Sequence, residues 1–207
     1  LNSNGKISNL KYVDAVLNGQ DGIDINEGQL GTMEHVRASL NAWVVNNSEN
    51  FRIGSPLNFT ANINNSTFHD VGKTVANNPR IVEISTGFHG TVNYKDCIFS
   101  GAGRVVNNGA AAATVNFENC AIVTEGPHAL VTPNPFTGQA PDTNVASVSA
   151  DPDYVSSTFD STDGANFEYL RPSNEAAYAG KSSTGGNLTG GAGGTALPVS
   201  LSSFTIE

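Results

Sequence analysis

The sequence predicts an all-β fold, a solenoid of about five coils, and three observations carry that expectation. Only 14% of the 207 residues are charged, while 22 are Gly and 25 are Asn. That composition suits short strands and tight turns rather than helices or a long disordered chain. One six-residue pattern recurs five times in the first two thirds of the chain. Between its copies lie short apolar runs with the period-two alternation of strands.

The pattern reads apolar, any, polar turn residue, small or apolar, any, apolar. Its copies occupy residues 7–12, 33–38, 63–68, 94–99 and 117–122, with first positions 26, 30, 31 and 23 residues apart. A constant motif with a variable period suits stacked coils whose loops differ in length. The third position is Asn9, His35, Asn65, Asp96 and Asn119 in turn. Asn, Asp and His tolerate the left-handed backbone region better than other residues carrying a Cβ. A bend at this structural turn column would let the first, fourth and sixth positions all face inward. A second run per period predicts a second strand: Ile23-Asp24-Ile25, Phe51-Arg52-Ile53, Val82-Glu83-Ile84, Val105-Val106 and Leu130-Val131. Residues 91–94 and 113–117 predict a third, leading into the motif.

Over residues 5–132 the chain resembles the right-handed parallel β-helix, the solenoid of pectate lyases, pectin-degrading enzymes and many bacterial surface proteins. A β-sandwich is the competing fold, but antiparallel sandwiches rarely repeat a turn column five times. Residues 1–132 are accordingly read as the coils, 133–195 as a loop-rich closing segment and 196–207 as a linker. Within the second region, Asp151-Pro152-Asp153-Tyr154 and Phe167-Glu168-Tyr169-Leu170-Arg171-Pro172-Ser173 resemble the closing segment of secreted bacterial β-helix proteins. The implied role is to pack over the last coil, whose open end would expose strand edges. The run Ala196-Leu197-Pro198-Val199-Ser200-Leu201-Ser202-Ser203-Phe204-Thr205 resembles the "LPVEL.SF" linker of Bacteroidetes proteins exported by the type IX system, with Ser200 in place of the common Glu. That resemblance implies an extracellular or outer-surface location and a C-terminal sorting domain beyond these residues. With neither an initiator Met nor a signal peptide at Leu1, the sequence reads as the C-terminal end of a longer product.

A net charge of -9 argues against nucleic acid as a partner and against anionic membrane surfaces. The longest apolar runs fall far short of the ~20 residues of a membrane span. Two cysteines, Cys97 and Cys120, exclude a disulfide-dense scaffold and four-ligand structural zinc. Both hold the fourth motif position in successive coils, so stacked, buried core thiols are expected, with a disulfide as the alternative. Apolar surroundings would leave them unreactive.

Asp24, Arg52 and Glu83 should form one outward column, since neighbouring parallel strands lie ~4.8 Å apart. They are the weak catalytic candidates. In a lyase of this fold, acidic calcium ligands (Asp24, Glu83 or Asp96) would work with a basic proton acceptor (Arg52, Lys95 or Arg104). The structural alternative is charge compensation across exposed strands. Asp21 with Asp24, and Asp151 with Asp153, form no recognisable glycosidase pair. Asp160-Ser161-Thr162-Asp163-Gly164 reads as an Asp-Gly turn rather than a calcium loop. His35, His69, His89 and His128 show no paired metal-ligand spacing, and no metal site is expected. Trp43 is the weak sugar-platform candidate; Tyr12 and Tyr94 are expected in the core, and Tyr154 is a further aromatic.

The function expected is a structural, adhesive or glycan-binding module with no cofactor. Its partner would be a glycan or cell-surface polymer, or further copies stacked end to end as a filament. The alternative is a polysaccharide lyase acting on uronic-acid polymers, in which calcium would be the cofactor.

Overall fold

The computed structural model describes residues 2–3, 5–16, 18, 21–39, 49–54, 56–70, 80–85, 87–101, 107–108, 113–124, 152–156 and 169–193. Among these described residues, strand makes up 53% and helix 6%. The chain runs five times through the same three strands. The first round is β1 (Asn2–Ser3), β2 (Lys6–Lys11) and β3 (Asp14–Val16). Next come β4 (Ile23–Ile25), β5 (Gln29–Glu34) and β6 (Arg37–Ser39), then β7 (Glu49–Ile53), β8 (Thr60–Asn64) and β9 (Thr67–Asp70). The fourth round is β10 (Arg80–Ile84), β11 (Thr91–Lys95) and β12 (Ile98–Gly101), and the fifth β13 (Asn107–Asn108), β14 (Thr114–Glu118) and β15 (Ala121–Thr124). Every third strand joins one sheet, giving β1-β4-β7-β10-β13, β2-β5-β8-β11-β14 and β3-β6-β9-β12-β15. All pairings within these sheets are parallel, as stacked β-helix strands would be.

Parallel neighbours cannot be joined by a tight turn and need a connection of a dozen or more residues. Here that connection consists of strands belonging to the other two sheets. One row of each sheet is therefore buried, and identical positions stack. In the first sheet Ile23, Phe51 and Val82 are neighbours in register, as are Ile25, Ile53 and Ile84. In the second, Met33, Ile63, Tyr94 and Phe117 line up, and in the third Ala38, Phe68 and Phe99 do. All of these are at most 1% exposed. Burial is worth about 1.5–3 kcal/mol for each larger side chain. The ring stacks Phe68–Phe99 and Tyr94–Phe117, each with centroids 5.4 Å apart, add about 0.5–1.5 kcal/mol each. Truncating Phe68, which touches three other rings, would cost about 3–5 kcal/mol.

The corner between the second and third sheets is the left-handed column. His35, Asn65, Asp96 and Asn119 have φ of 53, 45, 55 and 51°. The first round departs from expectation, because Tyr12 (φ 56°) holds the corner and Asn9 lies inside β2 opposite Thr32. The copy of the motif in that round is Leu10-Lys11-Tyr12-Val13-Asp14-Ala15, three residues later than the Asn-based alignment. Leu10 stacks on Met33, and Ala15 pairs with Ala38. Burying Leu10 and Ala15 in register decides the frame; the preference of Asn for the bend does not. The bend leaves the ladder intact, since Tyr12, His35, Asn65 and Asp96 each donate a backbone N–H to the next round, to Glu34, Asn64, Lys95 and Glu118. Just past it, Ser66, Cys97 and Cys120 donate their side chains to the carbonyls of Asn64, Lys95 and Glu118 two residues back.

The described part of the closing segment lies along the outer face of the third sheet rather than over the last round. The Arg37 guanidinium is held by both oxygens of Asp14 at 2.6 Å, donates to the Tyr169 carbonyl at 2.8 Å and sits over the Tyr169 ring. The Tyr169 hydroxyl hydrogen-bonds Ser39, and that of Tyr154 hydrogen-bonds Ser100 at 2.6 Å. Ser100 also meets His69 Nδ1 at 2.9 Å. A single-turn helix, α1 (Glu175–Tyr178), is capped by Asn174 and brings Tyr178 against Ile98, Ala121 and Leu188 in a second apolar cluster. Ile98 and Ala121 point away from the main core, and without this strap they would be exposed. Among the described residues no helix is long and apolar enough to cross a membrane.

Candidate functional site

The first sheet gathers the charged candidates. Asp24, Arg52 and Glu83 are register neighbours on β4, β7 and β10. Arg52 reaches Asp24 Oδ2 at 3.3 Å, while Asp24 Oδ1 is buried with no hydrogen-bond partner. Burial raises the Asp24 pKa, and the Arg52 charge opposes that rise. Arg52 is thus engaged by a half-desolvated carboxylate rather than presented as a base. Sequence reasoning missed a fourth member, Glu49, because it began the strand at Phe51. Glu49 opens β7, is 1% exposed, and hydrogen-bonds through its carboxyl with Glu83 and Asp21. Asp21 also accepts the Glu49 backbone N–H at 2.8 Å. Burial first, then these two acids, push the Glu49 pKa up to about 10, so it is a neutral acid at pH 7. The only sequence signal was an acid two residues before the apolar run, on the parity of Phe51.

The second sheet offers a different surface. Apart from the exposed Lys6 at the start of β2, its outward rows are uncharged or internally paired. Asn9, Thr32, Asn62, Asn93 and Asn116 occupy successive strands in register. Asn93 Nδ2 donates to Asn62 Oδ1 at 2.9 Å, and Asn116 Nδ2 to Asn93 Oδ1 at 2.8 Å, so the amides form a chain. Each amide has a second N–H and a second lone pair left over. Thr60, Thr91 and Thr114 make a parallel row beside it. On the other side, Lys11 pairs with Glu34 at 2.5 Å and Lys95 with Glu118 at 2.7 Å. Lys95, considered as a base, is therefore held in an exposed ion pair.

The remaining candidates are dispersed. Asp96 is 4% exposed and accepts two bonds from Ser183. His69 lies under the Tyr154 ring, and His89 is exposed. Tyr94 is buried, as expected. Asp153 has φ 45° and belongs to the strap. Cys97 and Cys120 are buried free thiols, and burial raises the Cys97 pKa well above its ordinary value. Among the described residues no three His, Cys, Asp or Glu side chains group as a metal site. Trp43, Arg104, His128, Asp151, Asp160, Asp163, the runs 105–106 and 130–131, and the 196–207 linker lie outside the described residues.

Tyr12 is not a core residue. It is 55% exposed and stacks flat on His35, with centroids 5.1 Å apart and planes within 2°. Burial lowers the His35 pKa, with Glu34 opposing, so the lower ring is held neutral at pH 7. Holding a residue with a Cβ in the left-handed region costs about 1–2 kcal/mol, and the stack returns about 0.5–1.5 kcal/mol. The ring pair at best cancels its own strain, so stability alone does not account for Tyr where other rounds use Asn or Asp. No protein-family model, curated protein or solved structure matches this chain.

Proposed function

We propose that this chain is a right-handed parallel β-helix from an extracellular or outer-surface protein exported by the type IX route, and that it serves as a structural, adhesive or glycan-binding module. Three five-stranded parallel sheets visited in turn are compatible with that fold. The observation that carries the function is the Asn row of the second sheet, linked amide to amide from Asn62 to Asn116. Its spare donors and acceptors repeat every ~4.8 Å on a rigid support, which suits a polymer bearing repeated hydroxyls. The flanking charges are neutralised in pairs, which favours a neutral polymer over a polyanion.

A glycan array tests this with the intact chain and with Asn62→Ala/Asn93→Ala/Asn116→Ala. Binding to neutral glycans that is lost in the triple variant, with circular dichroism unchanged, is the expected result. An array silent for the intact chain would overturn the glycan reading and leave a purely structural one. Electron microscopy of purified material would then decide end-to-end filaments.

One observation favours a second reading, a carbohydrate-active enzyme. Asp21, Glu49 and Glu83 bring three carboxyl groups together beside Asp24 and Arg52, the residue types of an acid–base site, although Glu49 itself is 1% exposed and closed to a polymer. A lyase on uronic-acid polymers would need Arg52 freed from Asp24. Incubation with pectate and with alginate plus calcium, followed by ultraviolet absorbance of unsaturated products, tests it; products abolished in Arg52→Ala would displace the passive reading.

A further inference from the structure

The outward row of the second sheet is a ladder of amides, and amides select a ligand more narrowly than hydroxyls do. We infer that the Asn62–Asn93–Asn116 face binds an ordered polysaccharide bearing acetamido groups, a β-linked polymer of N-acetylated hexosamine, by pairing amide with amide from round to round. This rests on the glycan-binding reading and names the class of polymer.

Three observations converge on this assignment. The first is direction. Asn62, Asn93 and Asn116 are register neighbours at the centres of β8, β11 and β14. Each Nδ2 donates to the Oδ1 of the round before, at 2.9 and 2.8 Å, so the amides run head to tail. Amides chained in this way polarise one another, which strengthens the donors and acceptors left over. They are also held in place before any ligand arrives, which lowers the ordering cost of binding. The second is residue choice. Asn is disfavoured in strands and Thr is favoured, and Thr60, Thr91 and Thr114 fill the next outward row of the same three strands. The ladder bonds repay part of that preference, yet one of the two is exposed to water, where a neutral hydrogen bond adds little. The third is charge. The row on the other side holds Asn64, Lys95 and Glu118, and the Lys95–Glu118 pair at 2.7 Å leaves it neutral.

The spacing selects the ligand. Amides stacked through N–H···O=C bonds repeat every ~4.8 Å, whichever chain carries them. Polysaccharide chains with one acetamido group per sugar pack side by side through that same bond, so their amides repeat at the spacing of these strands. Chains lying along the strands, one to a round, would present an acetamido group to each Asn and hydroxyls to Thr60, Thr91 and Thr114. A glucan packs through hydroxyls alone and offers the ladder no amide. A peptide sheet repeats at ~4.8 Å as well, but its amides lie in the backbone, screened by side chains. A uronic-acid polymer would meet a neutral face on a chain whose net charge is -9.

Co-sedimentation of the whole chain with chitin powder and with cellulose powder tests the assignment. The intact chain should bind chitin about tenfold more tightly than cellulose, the worth of one to two hydrogen bonds. Asn93→Thr opens the ladder but keeps a hydroxyl on a strand-favouring residue. Its chitin binding should weaken about fivefold while its Tm stays level or rises. Asn62→Thr/Asn93→Thr/Asn116→Thr should bind the two powders equally, with circular dichroism unchanged. A row that serves only the sheet would give the intact chain no preference for chitin and would show itself as a lower Tm in the variants. Equal binding of the intact chain to both powders, or a chitin preference that survives the triple variant, overturns acetamido recognition and leaves the broader glycan reading standing. Sedimentation with neither powder also overturns it, and a silent glycan array is what would remove the broader reading.

Discussion

The Asp96 carboxylate takes both hydrogen bonds that Ser183 offers, from the backbone N–H at 2.6 Å and from the hydroxyl at 2.5 Å. Asp96 also holds the left-handed corner of the fourth round, with φ 55°. One side chain thus serves the bend between the second and third sheets and the docking of a strap 87 residues later in the chain.

Asp96→Ala removes the short polar side chain that tolerates the bend and two charge-assisted hydrogen bonds. The expected loss is about 2–4 kcal/mol. Asp96→Asn keeps the bend and one acceptor, and should lose about half as much. Urea denaturation checks this through a lowered midpoint with an unchanged slope, which separates lost stability from a changed unfolded state.

Glu49 sets a pH dependence whose sign follows from its raised pKa. Unfolded, it titrates near 4.5; folded, near 10. Between those values the native state holds a proton that the unfolded state has released, so stability falls as pH rises. The contribution is complete below about pH 4.5 and gone above about pH 10. The slope is at most about 1.4 kcal/mol per pH unit. Glu49→Gln mimics the protonated acid and should flatten the decline, as denaturant titrations at pH 5, 7 and 9 (round values spanning the window) would record, while a Glu49→Gln chain that declines as steeply as the native one removes Glu49 as the cause.

What the sequence made legible follows the range of the interactions. Asp24, Arg52 and Glu83 fall in one column because each sits in the middle of a three-residue apolar run, and a period of two leaves no other frame. Four of the five corner residues were found for the same reason. Tyr12 was not, because propensity ranked Asn9 above it, and stacking of Leu10 on Met33 overrode propensity. Glu49 was missed since nothing local marks an acid whose partners, Asp21 and Glu83, come from neighbouring rounds. The strap shows the limit most clearly. Its segment was recognised, but its place beside the third sheet depends on contacts such as Arg37 with Tyr169, 132 residues apart.

Cys97 and Cys120 should not react with a water-soluble disulfide reagent until the chain unfolds. Both are fully buried, their thiols donate to backbone carbonyls, and burial holds Cys97 protonated. Labelling at pH 8 (a mildly alkaline value) should follow the unfolding rate, with both thiols appearing together. Rapid labelling of native protein would contradict the packing of the fourth column. Cys97→Ser should cost about 1–2 kcal/mol, because Ser66 already fills the same position one round earlier with the same bond to the carbonyl two residues back.

The strap should be separable from the sheets. Gly191, in the 3₁₀ turn Gly190–Gly193, presses its backbone onto β6 and β9. A Cβ there would come within 2.5 Å of the Val36 carbonyl oxygen and 2.6 Å of Arg37 Cγ, and its N–H donates to Thr67 Oγ1 at 2.9 Å. Gly191→Ala therefore cannot seat without displacing the turn, at a cost of about 1–3 kcal/mol. The buried columns of the three sheets do not include the strap, so they should hold. The expected outcome is faster tryptic cleavage at Lys181, which Ser182 follows, with an unchanged far-ultraviolet spectrum. Thr67→Val, which removes only the acceptor, should accelerate cleavage less, in line with about 1 kcal/mol for one hydrogen bond. Loss of the sheet spectrum together with strap cleavage would instead make the strap part of one cooperative unit with the three sheets.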